Sequence, residues 1–159
     1  MRGIPMGGTI EARLTELGVD LPSAAAPAAN YVPFHISGKQ LFISGQLPLI
    51  AGGPDFKGKV GADFDVETAQ QAARACAINI LAQAKSALGE LDKIEQCLRL
   101  GGFVNSTPDF TDQPEVVNGA SDFLVDVLGD KGKHTRFAVG VASLPRGVAV
   151  EIDALFAIQ

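Results

Sequence analysis

The segment RFAVGVASLPRGVAVEIDALFAI, residues 136–158, contains the most regular β-pattern of the chain. In its second half every second residue is apolar, while Glu151 and Asp153 fall between them, which predicts a strand with one buried face. A second predicted strand, Arg136–Ser143, precedes it, and the Pro and Gly of Leu144–Gly147 are typical of a turn. If this connection is a hairpin, Arg136 and Glu151 are near neighbours on adjacent strands, either as a structural ion pair or as part of a site.

Two long helices are predicted upstream of this segment. Apolar residues recur at three- and four-residue spacing from Val66 to Leu88, after the acidic start at Asp65 and before Gly89. A second helix is predicted from Pro114, which suits a first helical turn, to Leu128. Between the two helices, the apolar run Ile94–Asn105 predicts a strand.

The first third of the chain predicts a hairpin and a short helix. The β-like runs Tyr31–Ser37 and Leu41–Gln46 flank Gly38-Lys39, a turn signal. Thr9 is a plausible N-cap for a helix over residues 9–17. The Ala/Pro stretch at residues 22–29 predicts an extended linker, because proline disfavours helix there.

The predicted order is helix followed by β-β-α-β-α-β-β. This order predicts an α+β fold: a single, mostly antiparallel sheet with two helices packed on one face. We expect one domain over residues 23–159, preceded by an N-terminal extension, residues 1–22, that carries the short helix. The acidic residues Glu151 and Asp153 project from the uncovered sheet face of an apolar chain, which indicates oligomerisation.

The composition excludes several classes of protein. The chain has 159 residues, of which 47% are hydrophobic and 19% charged, and its net charge is −5. One domain is expected from this length, disorder is excluded by the apolar content, and the acidic balance argues against nucleic acid as a partner. No apolar run is long enough for a membrane span. Residues 1–5 lack a signal-peptide core, so a cytoplasmic location is predicted, with Cys76 and Cys97 as reduced, core thiols.

Common catalytic signatures are not found in the sequence. There is no dinucleotide-binding glycine motif after a strand and no G-x-S-x-G elbow. His35 and His134 are about a hundred positions apart without a nearby second ligand, so each is interpreted as a surface or hydrogen-bonded residue. We therefore predict no metal and no cofactor. The polar residues at strand ends, Arg136 and Glu151, remain as candidates.

Several segments together resemble the Rid/YjgF family, which also carries the label endoribonuclease L-PSP. The strongest is an Arg before an apolar strand, then Leu-Pro, then Val-Glu-x-x-Ala, here Arg136–Pro145 and Val150–Ala154. Three further segments agree in order: residues 26–31, residues 43–48, and Phe103–Asn105 followed by Val117-Asn118. The resemblance covers about residues 26–158 and is closest to a longer-chain branch with an N-terminal extension.

The resemblance implies a chorismate-mutase-like fold and a homotrimer with clefts between subunits. It also implies hydrolysis of reactive enamines and imines, such as 2-aminoacrylate, to 2-oxo acids and ammonia. By the resemblance, Arg136 holds the substrate carboxylate and Glu151 orients the attacking water. The cleft positions that match the family are Tyr31, Gly45 and Asn118, with Ser44 beside them and Ala138 where the deaminase branch commonly has Cys.

The same residues are consistent with two other functions. A trimeric binding protein could use the same Arg136 cleft for a carboxylate metabolite. Ribonuclease activity, named in the family label, is disfavoured by the net charge and by the lack of a basic-aromatic face.

Overall fold

A computed structural model describes residues 8–159 of the chain. Its sheet contains β1 Phe34–Ser37, β2 Gln40–Gln46, β3 Ile94–Asn105, β4 Thr135–Val141 and β5 Val150–Ile158. The helices are α1 Thr9–Glu16, α2 Val66–Leu88 and α3 Gln113–Leu128. Each predicted helix and strand is thereby confirmed, within a few residues at its ends. The prediction about residues 1–5 lies outside the described residues.

The five strands form one mixed sheet in the order β1-β2-β5-β3-β4. β3 and β4 are parallel, whereas the other three neighbouring pairs are antiparallel. The predicted hairpin between β4 and β5 is wrong, because β3 lies between them. The reason is that α3 connects β3 to β4. A helical connection carries the chain back along the sheet, so β4 can start beside the start of β3 and run in the same direction, and the two strands pair in parallel. β5 then takes the other edge of β3.

α2 and α3 pack on one face of the sheet, as predicted, and enclose the core with it. The Asp65 side chain caps α2 by accepting a hydrogen bond from the Thr68 backbone N–H at 2.8 Å. Where the helices cross, Gly119 of α3 lies so close to the Gln70 carbonyl of α2 that a Cβ at this position would overlap it. Glycine therefore sets the distance between the two helices.

α1 packs against this domain, and Ile10 and Leu14 are part of the hydrophobic core. The prediction of Thr9 as its N-cap is wrong, because Thr9 is already the first helical residue and Gly8 precedes it. The free N–H groups of Thr9 and Ile10 instead donate to the Asp92 carboxylate, at 2.8 and 2.9 Å. A carboxylate distant in sequence thus caps the helix and neutralises its positive end.

Strand register assigns residues to the two sheet faces. Leu100 of β3 is opposite both Arg136 of β4 and Ala154 of β5, and this set faces the helices. Phe103 is opposite Val139 and Glu151, and this second set faces away from them. The face without helices carries exposed apolar side chains, among them Phe42, Phe137 and Val139.

Candidate functional site

Arg136 is the second residue of β4, an edge strand of the sheet, and its side chain lies against α3. Nη1 donates to the Ser121 hydroxyl at 3.0 Å, and Nη2 donates to the Pro114 carbonyl at 3.0 Å. Residues 114, 118 and 121 fall on one side of a helix, so Asn118 lies on the same α3 face, between the two groups that hold the guanidinium. Ala138, two residues along β4, also faces the helices and packs against the core.

Ser121 also contacts a histidine that sequence reasoning did not assign to the site. The distance from Ser121 Oγ to His134 Nε2 is 2.8 Å, and His134 Nδ1 lies 2.5 Å from the Gly132 carbonyl oxygen. The interpretation of His134 as a hydrogen-bonded residue is confirmed. Its link to Arg136 could not be read from the sequence, because Ser121 is thirteen residues away and meets the histidine only through the packing of α3 on β4.

Glu151 lies on the sheet face without helices, beside Gly45 of β2. A Cβ at residue 45 would be only 2.8 Å from Glu151 Oε1, so glycine provides the space that the carboxylate occupies. Burial raises the pKa of the Glu151 carboxyl, and the negative charge of Asp153 raises it further. A carboxylate in this environment binds a proton more readily than one in water.

Arg136 and Glu151 therefore point to opposite faces of the sheet, with β3 between their strands. The predicted proximity across a hairpin is wrong, and so is the structural ion pair, because the guanidinium is held by Ser121 and Pro114. Within one chain these two residues do not share a site. A site that uses both of them requires groups from different copies of the chain.

The remaining predicted residues lie together near Gly45. Tyr31 and Gly45 line a cavity of about 160 Å³, to which Pro27 and Arg146 also contribute. The Tyr31 hydroxyl accepts a hydrogen bond from the Ala28 N–H at 3.3 Å. Ser44 is committed to the backbone, because its hydroxyl donates to the Val32 carbonyl at 2.7 Å. The structure thus divides the predicted site into an Arg136 cluster (Arg136, Asn118, Ala138) and a Glu151 cluster (Glu151, Gly45, Ser44, Tyr31).

Arg146 is a further residue that the sequence analysis did not assign. It is one of two non-glycine residues between 8 and 159 with positive φ, here 58°, and it lies in the connection from β4 to β5. The signal that could have found it is the Pro-Arg-Gly sequence, in which a bulky residue occupies the turn. Arg146 lines the cavity together with Tyr31 and brings a positively charged residue to it.

Both cysteines are core residues, as predicted. Burial raises the pKa of the Cys97 thiol to about 12, and burial with the Glu151 charge raises that of Cys76 well above its ordinary value. Neither thiol is therefore ionised near neutral pH. In the described part of the chain, His, Cys, Asp and Glu side chains do not form a cluster of three or more suited to a metal ion. None of the helices described is both long enough and apolar enough to cross a membrane.

A family model described as "YjgF/chorismate_mutase-like, putative endoribonuclease" matches residues 11–157. The chain belongs to this YjgF family. It is 51% identical over 149 residues to Protein TCP17 of Trypanosoma cruzi, covering 93% of both chains. The resemblance stated from the sequence is thereby confirmed.

Two solved structures are also similar to the chain. One is a protein of unknown function from Agrobacterium tumefaciens, which is 54% identical, with a TM-score of 0.88 and coverage of 94% of this chain and 92% of the other. The other is E. coli TdcF with bound serine, at 26% identity, a TM-score of 0.58 and coverage of 86% and 92%. The chain therefore shares its α+β architecture with both proteins.

Proposed function

We propose that this YjgF protein hydrolyses small 2-imino acids, and the enamines that tautomerise to them, to 2-oxo acids and ammonia. The observation that carries the proposal is the guanidinium of Arg136, held by α3 at an edge of the sheet. Two of its five N–H groups are used, for Ser121 and Pro114. Three remain, which is enough for the paired hydrogen bonds that arginine makes to a carboxylate.

The reaction requires little from the protein beyond binding, water and proton transfer. Water adds to the carbon of the protonated imine, the C=N electron pair moves to nitrogen, and the water proton passes to a base, which leaves a neutral carbinolamine. The base returns this proton to the nitrogen, the C–N bond breaks to release ammonia, and the hydroxyl proton passes back to the base as the oxygen forms the carbonyl. We assign the base to Glu151, because its raised pKa brings it closer to the range useful for general acid–base catalysis.

A homotrimer with clefts between the subunits is part of the proposal. Arg136 and Glu151 diverge within one chain, so a site containing both must combine two copies. The edge strand β4 offers unpaired backbone, and the adjacent sheet face carries exposed Phe42, Phe137 and Val139. An apolar patch of this kind is typical of a protein interface.

The similar E. coli TdcF was solved with bound serine, a small molecule that carries a carboxylate, and this supports a small carboxylate ligand for the present chain. It supports equally a second candidate, a trimeric protein that binds a carboxylate metabolite without turning it over. The imine hydrolase is preferred here because the family resemblance gives Glu151 the role of orienting the attacking water, and the raised pKa of this carboxyl suits proton transfer.

The test is an assay with 2-iminopropanoate and 2-iminobutanoate generated in situ. The wild type should accelerate formation of the 2-oxo acid, and Arg136→Ala should abolish the acceleration. Arg13→Ala is the matched control, because Arg13 lies on α1 and binds the Asp126 carbonyl of α3. Wild-type protein that binds 2-oxo acids through Arg136 but hydrolyses neither imine would favour the binding protein instead.

A further inference from the structure

A continuous chain of hydrogen bonds links Arg136 to a backbone carbonyl through two side chains. Arg136 Nη1 contacts Ser121 Oγ at 3.0 Å, Ser121 Oγ contacts His134 Nε2 at 2.8 Å, and His134 Nδ1 contacts the Gly132 oxygen at 2.5 Å. We call Ser121, His134 and Gly132 the relay. All its members are partly or fully buried.

With a neutral His134 ring, the end groups determine the position of every proton in the relay. A carbonyl oxygen only accepts, so His134 carries its proton on Nδ1, and in the neutral ring Nε2 is an acceptor. The Ser121 hydroxyl must then donate to Nε2. With its proton directed to the histidine, Ser121 Oγ presents a lone pair to Arg136, which only donates.

This direction of hydrogen bonding matters because a serine hydroxyl rotates freely when nothing orients it. Without His134, the Ser121 hydroxyl could turn its proton toward the guanidinium, where a second donor is unfavourable. His134 keeps the oxygen available as an acceptor. Gly132 is suited to its place, since a Cβ there would overlap the Leu124 carbonyl of α3.

We propose that Ser121 and His134 are positioning residues, which hold the Arg136 guanidinium in the orientation that receives the substrate carboxylate. This inference rests on the proposed function, because it assigns Arg136 to carboxylate binding. The Pro114 carbonyl fixes Nη2, and the relay fixes Nη1. Together they restrict the plane of the guanidinium and leave its other N–H groups for the ligand. An ordered binding group loses less entropy when it meets its ligand.

The first test is spectroscopic and independent of turnover. Long-range ¹H–¹⁵N spectra of the full chain report which imidazole nitrogen carries the proton, with His35, exposed on β1, as the internal comparison. His134 should show the Nδ1–H form. In Ser121→Ala the His134 Nε2 signal and the Arg136 Nε–H signal should both shift. A His134 in the Nε2–H form, or an Arg136 Nε–H signal with the same chemical shift in wild type and Ser121→Ala, would overturn the proposed role of the relay.

The second test separates binding from chemistry. Ser121→Ala and His134→Ala should raise KM for the imino acid, and Kd for 2-oxobutanoate, by about tenfold, equivalent to about 1.4 kcal/mol. The value of kcat should change less. Ser121→Thr keeps the hydroxyl, so its KM and Kd should be close to the wild-type values. If Ser121 contributed only packing, keeping the hydroxyl would not bring these two constants back to wild type.

The outcomes distinguish the relay from the reaction. A wild type that neither hydrolyses imines nor binds 2-oxo acids overturns the proposed function, and with it the carboxylate role of the relay. A Ser121→Ala variant with wild-type KM and Kd, in a protein that does hydrolyse imines, overturns the relay alone. Labelling of Ser121 by a fluorophosphonate would also overturn it, because that result would make Ser121 a nucleophile.

Discussion

Arg136 and Glu151 lie on opposite faces of the same sheet, on the two strands that flank β3. Arg136 contacts α3, whereas Glu151 fills the space beside Gly45 on the face without helices. This arrangement explains how one small domain carries two charged groups without pairing them. Each is supported by its own neighbours, and each remains available for a ligand or for a second chain.

Replacing Arg136 with Lys should impair imine hydrolysis almost as strongly as Arg136→Ala. Lysine keeps the charge, but a single ammonium cannot contact Ser121 and Pro114 while also making two parallel hydrogen bonds to a carboxylate. We expect kcat/KM to fall by about 10- to 100-fold, corresponding to a charged hydrogen bond of about 1.5–3 kcal/mol. Steady-state kinetics measure this, and a Lys variant within twofold of wild type would exclude the carboxylate role.

Glu151→Gln should stabilise the folded protein near pH 7 while removing its activity. Burial, followed by the Asp153 charge, raises the pKa of Glu151 in the folded state. The folded state therefore favours the protonated carboxyl, and its contribution to stability is lost as the pH rises through that raised pKa. Glutamine resembles the protonated form. Its Tm should exceed that of wild type at pH 7, and the difference should disappear below the ordinary glutamate pKa of about 4.3.

Asp153→Asn is the companion variant for that experiment. It removes the neighbouring charge, so the pKa of Glu151 should fall part of the way toward its ordinary value, while burial, the larger cause of the shift, remains. Because Asp153 also pairs with Arg99 at 3.4 Å, the variant loses that ion pair as well, and the measurement is the titration of the Glu151 carboxyl carbon by NMR rather than the Tm. If Glu151→Gln melts at the same temperature as wild type throughout the range, the carboxyl is not destabilised by its surroundings.

The helices and strands could be predicted from the sequence because their signals are local. Alternating apolar residues in β5, three- and four-residue spacing in α2 and the glycines after the helices depend only on neighbours in the chain. Strand order is different. Nothing in Leu144–Gly147 tells whether the chain turns back at once or crosses over β3, and this choice decides whether Arg136 and Glu151 meet.

The site could be predicted only as far as its residue types and the family resemblance allowed. Arg136, Glu151, Gly45 and Tyr31 were named on that basis, and the structure divides them between two clusters. Ser121, His134 and Arg146 were missed because an isolated Ser, His or Arg has no pattern. Their relation to the site depends on how α3 and the β4–β5 connection pack in three dimensions.

Val139→Asp should dissociate the proposed trimer. Val139 is 42% exposed on the sheet face without helices, so an acidic side chain there is well hydrated in a single chain but unfavourable inside an interface. Light scattering coupled to size-exclusion chromatography should show three chains for wild type and one for the variant, with loss of activity in parallel. Thr15→Asp, at an exposed position of α1, is the control that adds the same charge elsewhere. A wild type that is monomeric would exclude a site shared between subunits.

Asp92→Ala should lower the free energy of unfolding by about 1 kcal/mol, the usual effect of losing a helix cap. Asp92 accepts hydrogen bonds from the backbone N–H groups of Thr9 and Ile10. Because Asp92 lies just before β3, these bonds hold the start of α1 close to the start of that strand. Although burial raises the pKa of Asp92, the hydrogen bonds from Ile10 and Thr9 outweigh it and lower the pKa overall. The stabilisation should therefore be present at neutral pH and decrease as the pH falls through that lowered pKa.

Urea denaturation of wild type, Asp92→Ala and Asp92→Asn at pH 7 and pH 3 would measure this effect. Asparagine keeps one acceptor oxygen but not the charge, so its stability should fall between the other two at pH 7. At pH 3 the three proteins should be closer together, because wild-type Asp92 begins to bind a proton. Equal stability of Asp92→Ala and wild type at pH 7 would show that α1 does not depend on this cap, and that burial of Ile10 and Leu14 alone holds the helix on the domain.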